Sequence, residues 1–496
     1  MIGQGYSMIF ARSRVILQEL NKVLPSTLWS QQLRSGRLAA MASIHSFTHD
    51  VFQPPADIMP SNSIDKEAFK KTATIPALKV NKRCIHKVLK AFKMATFSRP
   101  RFAVIREVLT NPDEKFFLLD PQNMCDLEAM TERQQSVLKE NDVEERLHEY
   151  TLELTYKDWQ PHEVLQRLLP DSVEVPTGFS RVGHIMHLNL RQAQLEHKKL
   201  IGEVLLEKTP GIKTVVNKLN EIDNTYRFFN MECIAGEPDT VVTVKENHVA
   251  YSFDFAKVYW NPRLSTEHQR IIEKLHPTDV VYDMFAGVGP FAIPAAKKGC
   301  EVHANDLNPE SFRWLEVNAK QNKLSSRLKA SNLDGRQFAV DIVKPDLITK
   351  AKEGFKYKAH IIMNLPAIAV EFLDIFPSLL SLVPSELKDK IPEVVVHCHG
   401  FSKSDKPAED IQSRVEDILK CRLNCPEIHD VRDVAPNKEM MCISFSMPST
   451  ILCAPTNGDI GGAGDHQTEH QTEQSGSAEG SESDQDGPAI KKPRTH

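Results

Sequence analysis

One segment constrains the fold of this chain more than any other: a glycine-rich loop between two short apolar runs. Residues 280–285 (Val-Val-Tyr-Asp-Met-Phe) have the composition of a buried strand and lead directly into residues 286–292, Ala-Gly-Val-Gly-Pro-Phe-Ala. Pro290 suits the first turn of a helix, where its missing N–H costs no hydrogen bond. A second predicted strand over residues 300–305 ends at Asp306. Strand, glycine turn, helix, strand and acid in this order are typical of a nucleotide-binding βαβ unit.

Two residues indicate which cofactor this unit fits. Asp283 lies at the predicted end of the first strand, where a carboxylate can engage the cationic methionine end of S-adenosylmethionine. A dinucleotide would bring a pyrophosphate to the same region, and a carboxylate would repel it. Pro290 removes an N–H from the helix start, where an anion would need donors. The pattern therefore favours a methyltransferase over a nicotinamide-dependent oxidoreductase, although Gly287, Gly289 and Ala292 also satisfy the dinucleotide pattern.

Later strand ends extend the predicted site. A strand over residues 328–331 leads to Asp334, which is placed to bind the adenine amino group, and a strand over residues 359–363 leads to Asn364 in an Asn-Leu-Pro motif. Ligands of open parallel sheets bind at the carboxyl ends of the strands. We expect Asp306 to accept hydrogen bonds from the ribose hydroxyls and Asn364 to hold a nucleobase. The alternative for Asn364 is that it only caps the following helix.

Composition limits the class of protein. At 496 residues the chain is too long for a single core, and about two to four domains are expected. No apolar run reaches the roughly eighteen residues of a membrane span, so no membrane association is predicted. The nine cysteines lack the spacing of a secreted disulfide framework. We expect no metal, because the side chains of His397-Cys398-His399 alternate between strand faces and Cys421 and Cys425 lack a partner pair.

Three folded units are predicted. They are a small basic unit over about residues 50–135, a mixed α/β unit over about 140–260, and a unit of alternating strands and helices over about 261–450. The alternation predicts an α/β fold with a mostly parallel, doubly wound sheet. In the middle unit we predict a helix over residues 136–152, and strands near 185–190, 240–244 and 250–255.

The two ends differ from this folded part. Residues 1–46, within a leader of 48 residues, carry five basic residues and one acid, a composition typical of mitochondrial presequences; an untargeted leader is the alternative. Met41 could start a form without the leader. Residues 455–496 lack aromatic residues and are predicted to stay disordered, ending in a short basic cluster that resembles nuclear import signals or merely solubilises the tail. We expect the protein to be located in the mitochondrial matrix, and nuclear and cytoplasmic forms to exist as well.

Several spaced motifs resemble the eukaryotic and archaeal tRNA (guanine-37) N1-methyltransferase family. They are Tyr226-Arg227, Ala235-Gly236-Glu237, residues 257–267 (Lys-Val-Tyr-Trp-Asn-Pro-Arg-Leu-Ser-Thr-Glu), residues 283–291 and Asn364-Leu365-Pro366. Together they cover nearly all of residues 50–450, and several motifs in one order are more specific than any one of them. The resemblance implies a small RNA-recognising domain, a middle domain and a Rossmann-like methyltransferase domain, with tRNA as partner and S-adenosylmethionine as cofactor.

The resemblance also implies roles for single residues. Guanine N1 carries a proton in the lactam form, so a base must remove it, and charge then collects on O6. Glu267 resembles the family's base, Arg227 the arginine that steadies O6, and Asn364 the asparagine that holds the guanine. The positions that resemble cofactor contacts are His268, Asp283, Gly287, Asp306, Leu307, Asp334, Gly335 and Asn364. His268 stands where archaeal relatives have arginine, which leaves its contact open.

Other interpretations remain at this stage. Glu267 could only complement a helix dipole, and Arg227 could be a surface charge or a phosphate contact. Between Lys70 and Arg101 there are ten basic residues and no acid, which fits phosphate contacts or an ordinary solvated face. The rival functions are aminocarboxypropyl transfer from the same cofactor to a tRNA base, and non-catalytic RNA binding. Nothing indicates an obligate oligomer, so we expect a monomer.

Overall fold

The computed structural model describes residues 47–100, 102–219, 230–354 and 356–455. These residues fall into two compact units that divide between Gly335 and Arg336. No helix in the described ranges is long and apolar enough to cross a membrane.

The first unit contains thirteen described strands and eight described α-helices. The strands are β1 (Lys71–Asn81), β2 (Ile105–Glu107), β3 (Glu114–Leu118), β4 (His148–Leu154), β5 (Phe179–Val182), β6 (Ile185–Leu188), β7 (Thr214–Lys218), β8 (Met231–Gly236), β9 (Val241–Glu246), β10 (Val249–Asp254), β11 (Val280–Asp283), β12 (Glu301–Asn305) and β13 (Leu328–Ser331). The helices are α1 (Ile85–Ala91), α2 (Glu132–Glu140), α3 (Pro161–Leu168), α4 (Gln192–Leu195), α5 (Lys198–Lys208), α6 (Ser265–Lys274), α7 (Ala292–Lys298) and α8 (Pro309–Gln321).

The remaining elements follow from Gly335 onward. They are α9 (Gly335–Phe338), a π-helical turn (Ala339–Val343), α10 (Lys344–Glu353), β14 (Lys358–Met363), a 3₁₀ segment (Ala369–Ile375), α11 (Ser385–Lys388), β15 (Glu393–Ser402), α12 (Pro407–Leu419), β16 (Glu427–Ala435), β17 (Lys438–Ser446) and α13 (Ser449–Leu452).

The first sheet has the order β2-β3-β1-β4 and is antiparallel throughout. β1 is its long inner strand. Its successive side chains point to opposite faces of the sheet, and residues on both faces are buried. Ala73 and Ile75 enter a core that continues into the middle of the chain, whereas Leu78 and Val80 pack into a second core beside α1 and α2. One face of the first sheet therefore shares a hydrophobic core with the helices and strands of the middle of the chain.

The helix predicted over residues 136–152 is wrong beyond residue 140. Thr131 caps α2 by accepting a hydrogen bond from the Gln134 N–H, and the helix ends before Asp142, whose φ of 52° is left-handed. The chain then enters β4, which pairs with β1 although it lies within the range predicted for the middle unit. Alternating apolar and polar residues in β4 suit a strand with one buried face, and this pairing overrides the local helix propensity.

The middle sheet has the order β5-β6-β7-β8, with β6 and β7 parallel and joined through α5. A separate antiparallel hairpin, β9–β10, follows. Its two-residue turn, Asn247-His248, has positive φ at both positions, as a tight hairpin turn requires. The strands predicted near residues 185–190, 240–244 and 250–255 are confirmed, with ends shifted by a few residues.

The predicted βαβ unit is confirmed in the first unit. Strands β11, β12 and β13 are parallel, in the order β13-β12-β11, and α7 connects β11 to β12. The Ile293 N–H donates to the Gly289 carbonyl at 2.9 Å across the turn that contains Pro290. The helix α7 itself begins at Ala292, so Pro290 lies two residues before the first helical residue and not in the first turn as predicted. Gly299, with φ 119°, ends α7.

In the second unit, β14 and β15 are parallel, and β15, β17 and β16 follow as antiparallel neighbours. Histidines lie inside this sheet: His397 bonds to His360 at 3.0 Å and to the Ser444 hydroxyl at 2.8 Å. His397 and Cys398 point to opposite faces, as expected of neighbours in a strand.

Candidate functional site: a cofactor-binding strand edge and a buried catalytic helix

The glycine-rich loop after β11 is held by hydrogen bonds from its surroundings. The Ala286 N–H donates to the Asn305 carbonyl at 2.7 Å, and the Gly287 N–H donates to Asp306 Oδ2 at 2.7 Å. The fully buried Asn318 of α8 donates its side-chain N–H to the Val288 carbonyl at 3.0 Å. These hydrogen bonds fix the shape of the loop, and a preorganised loop reduces the ordering cost of ligand binding.

Asp306 occupies the position predicted for it, immediately after β12. Its Oδ1 accepts the Asn308 N–H at 2.9 Å, and its Oδ2 accepts the Gly287 N–H. Burial raises the pKa of the Asp306 carboxyl, while these two N–H groups and the Ser311 hydroxyl oppose that change. An ionised carboxylate offers about four acceptor positions, so it can still accept a ribose hydroxyl.

Asn305 was missed by the sequence analysis. This fully buried side chain donates to the carbonyls of Met284 at 3.2 Å and Leu333 at 2.9 Å, and it accepts the Leu333 N–H at 2.9 Å. It thus links the ends of three neighbouring parallel strands. An amide side chain at the carboxyl end of a predicted strand, next to the predicted ribose acceptor, is the signal that could have indicated it.

The loop after β13 contains Asp334, the predicted adenine contact. Asn332 donates its side-chain N–H to the carbonyls of Asp306 and Leu307, at 2.7 and 3.0 Å. Leu307 is 42% exposed, Asp334 is exposed and Gly335 is buried. The predicted contacts Gly287, Asp306, Leu307 and Asp334 therefore lie on loops that hydrogen-bond to one another.

These residues fit S-adenosylmethionine by shape and charge. A Cβ built on Gly287 meets no atom within 4 Å, so the loop borders open space at this residue. Asp283 is fully buried at the end of β11, and its carboxylate suits a cationic amine or sulfonium. With Asp306 as a hydroxyl acceptor, the two carboxylates suit the cationic end and the ribose of the cofactor.

The two loop glycines differ in what an alanine would meet, which allows a test of the loop. A Cβ at Gly289 (φ 98°) would lie 2.6 Å from Ile293 Cγ1 and 2.8 Å from Leu315 Cδ1, whereas Gly287 (φ 55°) has space. We expect Gly287→Ala to cost about 1–2 kcal/mol of unfolding free energy for its backbone alone. Gly289→Ala should cost about 1–3 kcal/mol more from overpacking. Urea denaturation measures both, and equal midpoints would contradict the packing.

Glu267 lies in the first turn of α6 and is 3% exposed. Arg270, one turn further, donates to both of its carboxylate oxygens, from Nε to Oε2 at 2.6 Å and from Nη2 to Oε1 at 2.7 Å. Such a paired, planar contact fixes the orientation of the carboxylate. Arg270 was also missed, although its spacing of three residues in a helix was a usable signal.

His268 is buried beside the glycine-rich loop. Its ring meets the Phe291 ring edge-on, with 4.8 Å between centroids. Its Nδ1 lies 2.6 Å from Glu246 Oε1 at the end of β9. The structure thus places His268 next to the predicted cofactor edge, held by a carboxylate that the sequence did not indicate.

Asn364 follows β14 in the second unit and is half-buried. The interpretation as a helix cap is wrong, because the residue before the next helical segment is Ile368. Within the described part of the chain, the buried Asn364 Oδ1 accepts no hydrogen bond. The Phe401 N–H donates to the Pro366 carbonyl at 3.0 Å and ties this loop to β15. Arg227 belongs to residues 220–229, outside the described ranges.

Comparison with known proteins identifies the domains and the family of this chain. Residues 242–423 match the model of the TRM5/TYW2 methyltransferase domain, and residues 162–240 match that of the TYW2 N-terminal domain. The Homo sapiens tRNA (guanine(37)-N(1))-methyltransferase is 47% identical over 82% of this chain and 80% of its own length. The Drosophila melanogaster protein of that name is 44% identical over 81% of this chain and 88% of its own.

Solved structures agree on the fold. Trm5b from Pyrococcus abyssi is 25% identical, with a TM-score of 0.53 over 75% of this chain and 99% of its own. The aTrm5 chain solved with tRNALeu is 24% identical, with the same TM-score over 75% of this chain and 100% of its own. The Rossmann-like methyltransferase fold is thereby confirmed, and the match to a methyltransferase domain and to methyltransferases of high identity confirms the S-adenosylmethionine cofactor. The chain belongs to the tRNA (guanine-37) N1-methyltransferase family.

Proposed function

We propose that Glu267 is the general base with which this S-adenosylmethionine-dependent tRNA (guanine-37) N1-methyltransferase removes the N1 proton of its target guanine. The observation that carries the proposal is the buried carboxylate in the first turn of α6, clamped by Arg270. Guanine N1 is not nucleophilic until its proton leaves. A carboxylate held in one orientation suits this step, and a group that only balanced the helix dipole would not need to be buried.

Asn364 is proposed to hold the guanine. Its buried Oδ1 accepts no hydrogen bond from the described residues, and a buried acceptor without a partner is costly unless a ligand supplies the donor. The exocyclic amine of guanine is such a donor. Arg227 is proposed to stabilise the charge that develops on O6, a role that rests on the family resemblance alone.

The carboxyl ends of β11, β12 and β13, which form the cofactor edge, are proposed to hold the second reactant. When bound, S-adenosylmethionine supplies the electrophilic methyl group. Asp306 accepts hydrogen bonds from the ribose, Asp334 from the adenine amine, and Asp283 faces the cationic end. Leu307 and Gly335 are proposed as contacts of the adenosine. Holding both reactants in one orientation converts a two-molecule reaction into an intramolecular one.

The ion pairs of the basic stretch support a smaller candidate surface for tRNA binding than the whole of residues 70–101. Several basic residues between Lys70 and Arg101 are already paired, among them Lys79 with Glu114, Lys82 with Asp113 and Arg99 with Glu163. Arg83, Lys90 and Lys93 lie on or beside α1, are exposed, and form no ion pair with the described residues. We propose that these three bind tRNA phosphates.

Lys90→Gln with Lys93→Gln should weaken tRNA binding for all tRNA sequences alike. Each lost phosphate contact should reduce the slope of log affinity against log salt by about 0.7–0.9. Filter binding at several salt concentrations measures the slope. The matched control is Lys79→Gln, whose lysine is paired with Glu114, so its slope should stay that of the unmodified protein. Identical slopes in the double variant and the control would refute this surface.

The direct test of the reaction uses purified protein, unmodified tRNA and labelled S-adenosylmethionine. Nuclease mapping and mass spectrometry of the product should place one methyl group on N1 of guanine 37. A product carrying an aminocarboxypropyl group would support the rival transferase, and tRNA binding without any product would support a non-catalytic RNA-binding protein.

Gel filtration with light scattering tests the expected monomer.

A mitochondrial address for one form is proposed from residues 1–46, which lie outside the described ranges. Fused to a fluorescent reporter, this segment should direct import into the mitochondrial matrix, because an acid-poor basic leader is what the import machinery recognises. A form starting at Met41 should remain in the cytoplasm and nucleus. A diffuse cytosolic signal from the 1–46 fusion would contradict the proposal.

A further inference from the structure

We propose that a groove between β9 and the start of α6 binds a backbone phosphate of the tRNA beside the target guanine. This assignment rests on the proposed function, because it names a further contact of the same RNA substrate. Its basis is a groove that contains two cationic side chains, Arg181 and Lys245, and that borders the helix of Glu267. We call it the basic groove.

Three segments of the chain form the basic groove, which has a volume of about 590 Å³. One wall is the exposed face of β9, from which Thr243 and Lys245 project. The second wall is the turn between β5 and β6, with Arg181 at its edge, and the third is the segment from Trp260 to Ser265. A groove of this volume can hold a nucleotide-sized group.

The charged side chains of the groove favour an anionic ligand. Arg181 and Lys245 are exposed, and neither forms an ion pair with the residues that the structure describes. The acid among the lining residues is Glu246, which is 8% exposed and whose Oε1 lies 2.6 Å from His268 Nδ1. Because that carboxylate is engaged with the histidine, the two cations remain for a ligand.

Two contacts fix the position of the Arg181 guanidinium. Its Nε donates to the Gly183 carbonyl at 3.1 Å. A Cβ built on Gly211 would lie 2.8 Å from Arg181 Nη2, so the guanidinium packs against a backbone that only glycine leaves open. With Nε occupied in this way, the two Nη groups form the planar fork that suits the oxygens of a phosphate.

The uncharged side chains of the groove indicate a phosphate rather than the edge of a base. The Thr243 hydroxyl is hydrogen-bonded to the Ser252 hydroxyl at 2.9 Å, and the Asn247 side-chain N–H donates to the Ser265 carbonyl at 3.0 Å. Trp260 is nearly buried and packs on Phe253, with 4.9 Å between ring centroids. Cations that recognise phosphate therefore dominate the polar surface of the groove.

Helix α6 places the groove beside the proposed reaction. Ser265 lines the groove and begins α6, and Glu267, the proposed base, follows two residues later, about 3 Å along the helix axis. A guanine that is turned out of the RNA toward Glu267 brings its own sugar and phosphates to the start of the same helix. The phosphates on either side of guanine 37 are therefore the RNA anions nearest to Arg181 and Lys245.

The test measures binding of the full-length protein to tRNA in which one phosphate of the anticodon loop at a time is an uncharged methylphosphonate. Arg181→Gln with Lys245→Gln should weaken binding of the unsubstituted tRNA about ten-fold, as expected for a lost charge-assisted contact. The slope of log affinity against log salt should fall by about 0.7, the value for one phosphate of a single strand.

The substituted tRNAs locate the contact. With the unmodified protein, a methylphosphonate beside guanine 37 should also weaken binding about ten-fold. With the double variant, the same methylphosphonate should cause no further loss, because protein and RNA changes remove one shared contact. Arg191→Gln is the matched control, since Arg191 is exposed and paired with Glu174, and it should retain the full sensitivity to the methylphosphonate.

Two results would overturn the proposal. One is a double variant that binds tRNA as tightly as the unmodified protein does. The other is a weakened variant in which every methylphosphonate beside guanine 37 still causes its full loss, which would assign Arg181 and Lys245 a structural role or a contact elsewhere on the tRNA. Neither result bears on Glu267, whose failure would appear in methyl transfer with tRNA binding intact.

Discussion

Glu267→Gln should retain tRNA and cofactor binding and lose methyl transfer, with the deficit shrinking as the pH rises. The amide preserves the shape of the side chain but cannot take up the N1 proton in the transition state. General base catalysis contributes about 10²–10⁴-fold, so the loss should appear in single-turnover rates. As the pH rises toward the pKa of guanine N1, more of the guanine is already deprotonated. The proton acceptor is then needed less, and the defect of the variant shrinks.

Two further variants sharpen this experiment. Arg227→Ala should be defective at every pH, because the charge on O6 needs stabilisation even after the proton has left. Glu273→Gln removes an exposed carboxylate from the same helix and should behave like the unmodified protein. A Glu267→Gln enzyme with near-normal single-turnover rates at neutral pH would show that another group is the base.

Asp306→Ala should weaken S-adenosylmethionine binding by about 1.5–3 kcal/mol, the value of a charge-assisted hydrogen bond. The carboxylate also accepts the Gly287 N–H at 2.7 Å, so its loss removes both a ribose acceptor and a support of the loop. Calorimetry with the folded variant measures the affinity, and circular dichroism checks the fold. Glu316→Gln, an exposed acid on α8, is the control. Unchanged cofactor affinity would exclude Asp306 from the site.

The pH dependence of cofactor binding gives an independent check of the role of Asp306. Because burial raises the pKa of the Asp306 carboxyl, this group takes up a proton at a higher pH than an exposed aspartate. Protonation removes the anionic acceptor, so cofactor affinity of the unmodified protein should fall as the pH drops through that pKa. Asp306→Asn has no carboxyl to titrate and should lack this part of the decline. The same decline in both proteins would locate the titrating group elsewhere.

The sequence predicted the cofactor edge well because its signals are local. A buried strand, a loop with two glycines, Pro290 in the first helical turn and Asp306 after the next strand are neighbours in the chain, and each has one physical reason for its place. The structure confirms these positions for the described residues, except that α7 begins at Ala292, two residues after Pro290. The helix predicted over residues 136–152 failed because pairing of β4 with the distant β1 overrode a local pattern.

By itself, the sequence determined the βαβ unit, the cofactor and the family, since periodicity, turn residues and ordered motifs are all readable along the chain. The tertiary structure alone decided which side chains hold the site in place. Asn305 binds the Leu333 backbone, Asn318 binds the Val288 carbonyl, and Glu246 holds His268. The partners in these contacts are 22 to 30 residues apart along the chain. Only folding brings them within hydrogen-bond distance, because the burial of apolar strands sets the register that places their polar ends together.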